Sequence, residues 1–298
     1  MLNYSKKPLF EFATDLAKSR GIKLLVKRED LNHPFVSGNK WWKLKYNLEQ
    51  AVIQGHQTLL TFGGAYSNHI YSTAAAAQEL GLKSIGIIRG EETLPLNSTL
   101  SFVKEAGMQL YYVSREEYKR KNEEEFIGSL KEKFGDFYLI PEGGTNEFAL
   151  KGCAEFGQSL LHEIDFDYLC LPVGTGGTIA GIICGLKGQK KVIGFSSLKG
   201  SFLKDEVTQL VSSYSNTNYS NWRIEEAYHF GGYAKLTEEL IYFIKDFEKK
   251  NAIPLDQIYT AKMFYGVFDL IAQNYFEEGS TILLLHTGGL QGRAGSNF

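Results

Sequence analysis

The stretch YLCLPVGTGGTIAG, residues 168–181, passes from an unbroken apolar run through a glycine-rich turn into helix-forming residues. Unbroken apolar runs of this length are typical of strands that are buried on both faces of a parallel sheet. Runs of the same kind recur along the chain at 23–29, 58–63, 84–90, 109–114, 137–142, 191–197 and 281–287.

The segments between these runs favour helices. The pattern predicts them over 41–54, 67–80, 98–106, 115–134, 147–163, 177–186, 202–213, 235–250 and 261–277. Strands that alternate with helices favour parallel pairing, because the crossover helix returns the chain to the same end of the sheet. The sequence therefore predicts an α/β protein with parallel sheets flanked by helices.

The composition is that of an ordinary globular protein and excludes several classes. The chain has 298 residues, a formal net charge of −2 and 43% hydrophobic residues. This charge gives no basic footprint for nucleic acid or an anionic membrane surface. The cysteines, Cys153, Cys170 and Cys184, are scattered, so neither a disulfide framework nor a metal site is expected. The lack of a long apolar run or a signal-peptide pattern indicates the cytoplasm.

The glycine-rich turn of the opening stretch has the features of an anion site. Gly174, Gly176 and Gly177 let successive backbone N–H groups point at one ligand, and the following helix adds partial positive charge at its start. Thr175 and Thr178 add hydroxyl donors. The turn lacks the GK[ST] ending of a P-loop. The pattern favours a single phosphate, with an ordinary strand–helix turn as the alternative.

A second glycine-to-helix junction is GGAYSNHIYS, residues 63–72, which places Ser67 and Asn68 where a helix begins. At the carboxyl end of a strand this pair is able to hydrogen-bond a carboxylate or a phenolic oxygen. The structural alternative for Ser67 is that its hydroxyl simply caps the helix. We assign His69 no role.

The stretch SGNKWWKL, residues 37–44, sets Lys40 directly before two tryptophans. A protonated lysine is a poor nucleophile, but burial or a nearby cation lowers its pKa and frees the amine to form a Schiff base. Trp41 and Trp42 would supply part of a desolvating wall around that amine. The alternative is that both indoles fill the core while Lys40 extends to water.

The order of these stretches resembles that of the 1-aminocyclopropane-1-carboxylate deaminase / D-cysteine desulfhydrase family. The resemblance rests on KREDLNHPFVSGNKWWKL, TLLTFGGAYSNH, IPEGGTN, LPVGTGGTIAG, GGYAK, IYTAKMFYG and LLLHTGG, spread over residues 27 to 289. It implies pyridoxal 5'-phosphate as cofactor and the two-domain tryptophan-synthase-β-like fold (fold type II). It also implies a smaller α/β domain over 43–152, a larger cofactor-binding domain built from 1–42 plus 153–298, and a homodimer.

The resemblance further implies a role for each matched position. Lys40 matches the lysine that holds the cofactor through an imine, Asn68 the asparagine at its phenolic oxygen, and Ser67 the serine at the substrate carboxylate. The other matches are the phosphate loop Thr175-Gly176-Gly177-Thr178, Tyr259 and Tyr233 near the reacting end of the substrate, and Thr260 at the pyridine nitrogen. Lys40 and Tyr259 are the candidate bases for the α-proton. Around Tyr233, the stretch GGYAKLTEE departs from the GYGxPN-type stretch that is usual in the family.

Thr260 separates the two activities that the family implies. Deaminases that open a cyclopropane ring have a glutamate at this position, and a carboxylate there keeps the pyridine protonated. A neutral hydroxyl stabilises a pyridinium less, and the weaker electron sink suits the departure of a thiolate from the β-carbon. We therefore expect β-elimination on a small amino acid, with D-cysteine giving pyruvate, ammonia and hydrogen sulfide. The alternatives are 1-aminocyclopropane-1-carboxylate deaminase and a non-catalytic phosphate-binding α/β module.

Overall fold

Two sheets organise the chain in a computed structural model that describes residues 2–293. The larger sheet has six strands, in the spatial order β1 (Leu9–Phe12), β2 (Lys23–Arg28), β10 (Thr281–His286), β7 (Tyr168–Val173), β8 (Lys191–Ser196) and β9 (Trp222–Glu225). Only β1 runs antiparallel to its neighbour; the other pairs in this sheet are parallel.

The smaller sheet has four strands, all parallel, in the order β5 (Met108–Val113), β4 (Lys83–Arg89), β3 (Thr58–Gly63) and β6 (Tyr138–Ile140). Parallel strands end at the same edge of a sheet, which is where open α/β sheets bind ligands. The α/β class with parallel sheets and flanking helices is confirmed. The domain limits given above stay a prediction.

The helices lie between the strands in the chain. They are α1 Asp15–Ser19, α2 Asn39–Ile53, α3 Asn68–Leu80, α4 Ser98–Glu105, α5 Arg115–Lys119, α6 Glu124–Phe134, α7 Glu147–Glu163, α8 Gly177–Leu186, α9 Leu203–Ser215, α10 Glu238–Asn251 and α11 Thr260–Ala272. Single 3-10 turns occupy Glu29–Leu31, Glu142–Gly144 and Leu290–Arg293. Between residues 2 and 293, no helix is long and apolar enough to cross a membrane.

The eight strands expected from apolar runs are all present, but two further strands were not predicted. β1 (LFEF) is exposed at its first three residues, and β9 (WRIE) is half-buried along its length. Both lie at the outer edges of the larger sheet, where one side lacks a neighbouring strand and burial is incomplete. The helix expected over 115–134 is in fact two helices, α5 and α6.

Helix α2 joins the hydrophobic cores of the two sheets. Its first turn places Trp41 and Trp42 in the core formed by the larger sheet with α7, α8 and α9. Its later turns place Leu44 and Leu48 in a core of the smaller sheet with α3. The start of α2 therefore lies between the sheets, and any side chain there that is directed away from both cores faces the space between them.

Candidate active site

A cavity of about 350 Å³ lies at the carboxyl ends of strands from both sheets. Its volume is in the range of pockets that enclose small ligands. The wall is built from segments that follow β3, β4, β6, β7 and β10, together with the start of α2. It includes Asn39, Lys40, Lys43, Gly64, Ser67, Asn68, His69, Arg89, Glu142, Gly143, Gly174, Thr175, Gly176, Thr178, Tyr233, Tyr259 and Thr287.

Lys40 reaches this cavity from the first turn of α2. The residue that caps the start of the helix, Gly38, has φ +68°, and a Cβ on Gly38 would lie 1.9 Å from the carbonyl oxygen of Thr287. Only glycine fits this close passage of two backbones. The Lys40 Nζ donates to Asn39 Oδ1 at 2.8 Å, and Asn39 Nδ2 donates to Thr178 Oγ1 at 2.8 Å. One amide thus links the lysine to the glycine-rich loop.

The electrostatic setting of Lys40 favours its neutral amine. Burial lowers the pKa of Lys40 to about 8. About a tenth of the amine is therefore neutral at pH 7, far more than for an ordinary lysine, and the neutral form is the one that attacks a carbonyl. The alternative in which Lys40 extends to bulk water does not hold, because its side chain lines the cavity.

The two tryptophans lie behind Lys40, in the core and outside the cavity wall as described. The Trp42 ring stacks on Phe156 at 4.7 Å, and its Nε1 donates to Glu29 Oε2 at 2.7 Å. Trp41 packs against Tyr4 at 4.8 Å. The prediction that the indoles wall the amine needs correction, because they form the layer that supports the helix carrying it.

Lys43 is a second buried amine in the cavity, and sequence reasoning missed it. Its Nζ donates to Thr145 Oγ1 at 2.8 Å and lies 3.4 Å from Thr175 Oγ1. Burial, together with the ammonium of Lys40, lowers the pKa of Lys43 to about 7. The signal was present in the spacing, since residues three apart on a helix share a face. Lys43 supplies a cationic donor beside the glycine-rich loop.

The glycine-rich loop forms a cup that is open to an anion. Gly176 has φ +76° and precedes the first residue of α8, so the free N–H groups of the first helical turn point outwards. A Cβ on Gly177 would lie 2.8 Å from Thr145 Oγ1 and 3.1 Å from Lys43 Nζ. Thr175, Gly176 and Thr178 line the cavity. Backbone donors, hydroxyls and one buried amine therefore converge on a space fitted to a phosphate.

Ser67 and Asn68 also line the cavity, at the start of α3. The Ser67 Oγ accepts from the backbone N–H of His69 at 3.2 Å and of Ile70 at 3.3 Å, so the serine does cap the helix. Its own O–H lies at the cavity wall. Asn68 accepts a hydrogen bond from Gln291 through its Oδ1. Their roles toward a substrate carboxylate and a phenolic oxygen stay predictions.

His69 is a buried residue of the cavity wall, and its ring is hydrogen-bonded to Thr61. Its Nε2 lies 2.7 Å from Thr61 Oγ1, and that hydroxyl donates to the carbonyl of Ile140. Burial and the nearby lysine ammoniums hold its pKa well below the usual value, so the imidazole is neutral.

Tyr259 and Tyr233 form a pair at one side of the cavity, with ring centroids 6.1 Å apart. Burial raises the pKa of both phenols. Both hydroxyls are therefore protonated at neutral pH and act as donors. A Cβ on Gly174 would lie 3.2 Å from the Tyr259 ring, so glycine at this position makes room for the phenol.

Thr260 is buried beside the cavity, and its hydroxyl is already engaged. Its Oγ1 donates to Asp256 Oδ1 at 2.7 Å and accepts from the Asp256 backbone N–H at 2.8 Å. The placement of this hydroxyl at a pyridine nitrogen stays a prediction. Thr287, at the end of β10, is a second threonine, and it does line the cavity. Sequence reasoning gave Thr287 no role.

Two charged side chains, Glu142 and Arg89, also line the cavity. The carboxylate of Glu142 accepts from the Tyr118 hydroxyl at 2.7 Å, and the guanidinium of Arg89 lies 5.7 Å from the same ring. Elsewhere in the chain, the described residues contain no group of three His, Cys, Asp or Glu side chains that could hold a metal ion.

These features define a class of site. A lysine of lowered pKa is joined by one amide to a cup that suits a phosphate, at the carboxyl ends of parallel strands. The residues fit an aldehyde that carries a phosphate: Lys40 would hold the aldehyde carbon, while Thr175, Gly176, Thr178 and Lys43 would hold the phosphate.

Comparison with known proteins gives this class its name. The sequence model of the family described as "Pyridoxal-phosphate dependent enzyme" matches residues 2–288. The chain belongs to this family, and its cofactor is pyridoxal 5'-phosphate. It is an enzyme of the lyase and deaminase group, as the resemblance implied, so the non-catalytic module is set aside.

The bifunctional D-cysteine desulfhydrase/1-aminocyclopropane-1-carboxylate deaminase, mitochondrial, of Arabidopsis thaliana is 32% identical over 302 residues, covering 91% of this chain and 73% of that protein. The D-cysteine desulfhydrase of Klebsiella pneumoniae is 25% identical, covering 94% and 90%. A solved structure described as an ACC deaminase homologue superposes with a TM-score of 0.85 at 28% identity, covering 99% of this chain and 93% of that one.

Proposed function

We propose that the enzyme catalyses β-elimination on a small D-amino acid, with D-cysteine as the leading substrate. D-Cysteine and one water would give pyruvate, ammonia and hydrogen sulfide. When bound, pyridoxal 5'-phosphate delocalises the electron pair that is left on the α-carbon after loss of its proton. The chain's own residues must bind the substrate, orient it and move its protons.

The choice of reaction rests on the hydrogen bonds that the Asp256 carboxylate already accepts. Its carboxylate accepts the backbone N–H groups of Ile258, Tyr259 and Thr260 at 2.8–3.0 Å, and also the Thr260 hydroxyl. Bonded in this way, the carboxylate is held away from the role of keeping a ring nitrogen protonated. A neutral threonine beside it supports the weaker electron sink, and loss of a β-thiolate needs no stronger one.

The two candidate bases differ in protonation state. Burial lowers the pKa of Lys40 to about 8, so its amine is able to accept a proton near neutral pH. Burial and the neighbouring Tyr233 raise the pKa of Tyr259 well above its usual value, so this phenol holds its proton. We therefore assign Lys40 as the base at the α-carbon and Tyr259 as a donor toward the departing sulfur.

The substrate carboxylate would bind at the start of α3. Ser67 caps this helix while its hydroxyl proton stays available, and the first turn of the helix adds partial positive charge. A carboxylate placed there directs the rest of a three-carbon amino acid toward Lys40 and the two tyrosines, which share the same cavity.

The test is a substrate comparison with the cofactor-loaded enzyme. D-Cysteine, L-cysteine and 1-aminocyclopropane-1-carboxylate are each assayed for keto acid and for sulfide, with Lys40→Ala as the inactive control. We expect pyruvate and sulfide in equal amounts from D-cysteine, and neither from Lys40→Ala. Keto acid from the cyclopropane substrate alone would overturn the proposal.

Ring-opening deamination is the second candidate, and similarity to the bifunctional Arabidopsis protein favours it. The same assay separates the two, since this reaction releases 2-oxobutyrate and ammonia without sulfide. Assembly as a homodimer remains a proposal of ours that rests on the resemblance, and a place in the cytoplasm remains one that rests on the sequence pattern.

A further inference from the structure

Lys262, on α11, is a buried cation for which the reaction has so far no use. Its side chain is fully buried, and the Nζ donates to the backbone carbonyls of His229 at 2.9 Å and Gly232 at 2.8 Å. Burial lowers the pKa of Lys262 to about 8, with Asp256 acting in the opposite direction. An amine kept in the interior at such a cost, bonded only to neutral carbonyls in the described contacts, calls for a reason beyond stability.

The carbonyls that it binds belong to a segment with an unusual backbone. Phe230, Gly231, Gly232 and Ala234 all have positive φ, at +50°, +90°, +115° and +55°. Two of these are not glycines, and the left-handed region is disfavoured for them. Backbone of this kind persists only where its surroundings hold it, and it is found most often at functional sites.

Tyr233 lies inside this segment and projects into the cavity. It directly follows the second carbonyl that Lys262 binds, and its ring contacts Tyr259 at a centroid distance of 6.1 Å. Tyr259 is the residue before the first residue of α11. Both phenols are thus attached to the first turn of α11. Tyr259 directly precedes this turn in the chain, and Tyr233 follows a carbonyl that the Lys262 side chain binds.

We propose that Lys262 is a positioning residue that holds the segment 229–234 in its left-handed conformation and so places the Tyr233 hydroxyl beside Tyr259. This inference rests on the proposed function, in which the tyrosine pair acts at the departing group. The segment is also where the chain departs from the usual family sequence around this tyrosine.

A merely structural lysine and a positioning lysine differ in one measurable respect. If Lys262 acts through Tyr233, then Lys262→Met and Tyr233→Phe remove the same contribution, and the double variant loses no more than the more impaired single variant. A lysine that only stabilises the fold gives losses that multiply. Methionine keeps the length and apolar stem of the side chain while it removes the Nζ that makes both hydrogen bonds.

The experiment measures kcat/KM of the cofactor-loaded enzyme for wild type, both single variants and the double variant. Backbone hydrogen–deuterium exchange over 229–234 is measured in the same proteins without cofactor. We expect Lys262→Met to lower kcat/KM by about tenfold or more, as loss of charge-assisted hydrogen bonds would. We also expect faster exchange over 229–234 and no further loss in the double variant. Unchanged exchange in that segment, or losses that multiply, would overturn the inference.

Lys27 provides a matched control. It is also a buried lysine, bonded to Glu163 at 3.2 Å, but it lies on β2 and outside the cavity. Lys27→Met should lower thermal stability and leave kcat/KM and exchange over 229–234 unchanged. If Lys262→Met does not accumulate as folded protein, Lys262→Leu takes its place, because leucine also lacks a donor, with the same expected exchange.

The proposed function and this inference fail separately. Should D-cysteine not be consumed, the cycle is run with whichever amino acid the wild-type enzyme turns over. The exchange over 229–234 reports on Lys262 without any substrate.

Discussion

Lys43 lies one helical turn after Lys40 on α2, and the two amines line one cavity. Two cations so close to each other, both removed from water, raise the free energy of the protein without cofactor. A dianionic phosphate placed beside Lys43 offsets that cost. The pair therefore ties the stability of the fold to the presence of the cofactor.

Lys43→Met should separate binding from stability. Loss of the amine beside the cup is expected to weaken cofactor affinity by about tenfold to a hundredfold, the size of a lost charge-assisted bond. The same change should raise the unfolding temperature of the cofactor-free protein at pH 6. Equilibrium binding and thermal unfolding, each measured on both proteins, check the two effects.

The stability gained by Lys43→Met should decrease as the pH rises. The pKa of Lys43 is lowered from 10.5 to about 7 in the folded protein, so the folded state binds fewer protons than the unfolded state between these values. Wild-type stability from this group then rises with pH across that window. The variant's advantage should be fullest below about pH 7 and vanish toward pH 10.5. A constant advantage across this range would contradict the assignment.

Loading of the cofactor should follow the titration of Lys40. Only the neutral amine attacks an aldehyde, and burial lowers the pKa of Lys40 to about 8. The loading rate is therefore expected to rise about tenfold per pH unit below 8 and to level off above it. Stopped-flow absorbance of cofactor-free protein mixed with pyridoxal 5'-phosphate measures it. A plateau that begins only near pH 10 would show a solvated lysine.

Thr260→Glu tests which side chain sets the protonation of the ring. The new carboxylate would lie beside Asp256, whose Oδ1 is 2.7 Å from the present hydroxyl, so one of the two acids should take up a proton. We expect cofactor binding to persist and the visible absorbance band to change. Thr260→Val is the control, because it removes the hydroxyl without adding charge and should cost about 1–3 kcal/mol of stability. An unchanged spectrum in Thr260→Glu would mean that the residue does not face the ring nitrogen.

Gly174→Ala should displace the Tyr259 phenol, and cofactor affinity is measured beside activity because Gly174 also belongs to the glycine-rich loop. The added methyl would meet the Tyr259 ring at 3.2 Å, so the ring has to shift by a few tenths of an ångström. Misplacing a reacting group is expected to lower kcat/KM by about tenfold or more. Gly128→Ala is the matched control on α6, where no atom lies within 4 Å of the new methyl, and should leave activity unchanged. Equal activity in both variants would remove Tyr259 from the reaction.

Most of the sheet framework was predictable because buried parallel strands carry unbroken apolar runs. The strands β1 and β9 were not, since edge strands are half-covered and their sequences mix polar and apolar residues. The break between α5 and α6 also lacked a glycine or proline signal.

The candidate site was predictable only as a set of local stretches. Lys43 and Lys262 bind partners that are far away in the chain, namely Thr145 for Lys43 and the carbonyls of His229 and Gly232 for Lys262. Only the crossing of the backbone brings them together. The same holds for Asp256. Its carboxylate accepts the hydrogen bond of the Thr260 hydroxyl, so that proton is not free for another acceptor, and the periodicity of the sequence does not indicate this bond.

Two of the three tryptophans of the chain lie directly behind Lys40, packed in the layer that supports α2. Indole emission overlaps the near-ultraviolet absorption of pyridoxal compounds, so energy transfer over so short a separation should quench these side chains whenever the cofactor is in place. Tryptophan fluorescence from α2 should therefore report how much of the protein has bound the cofactor, without an added label.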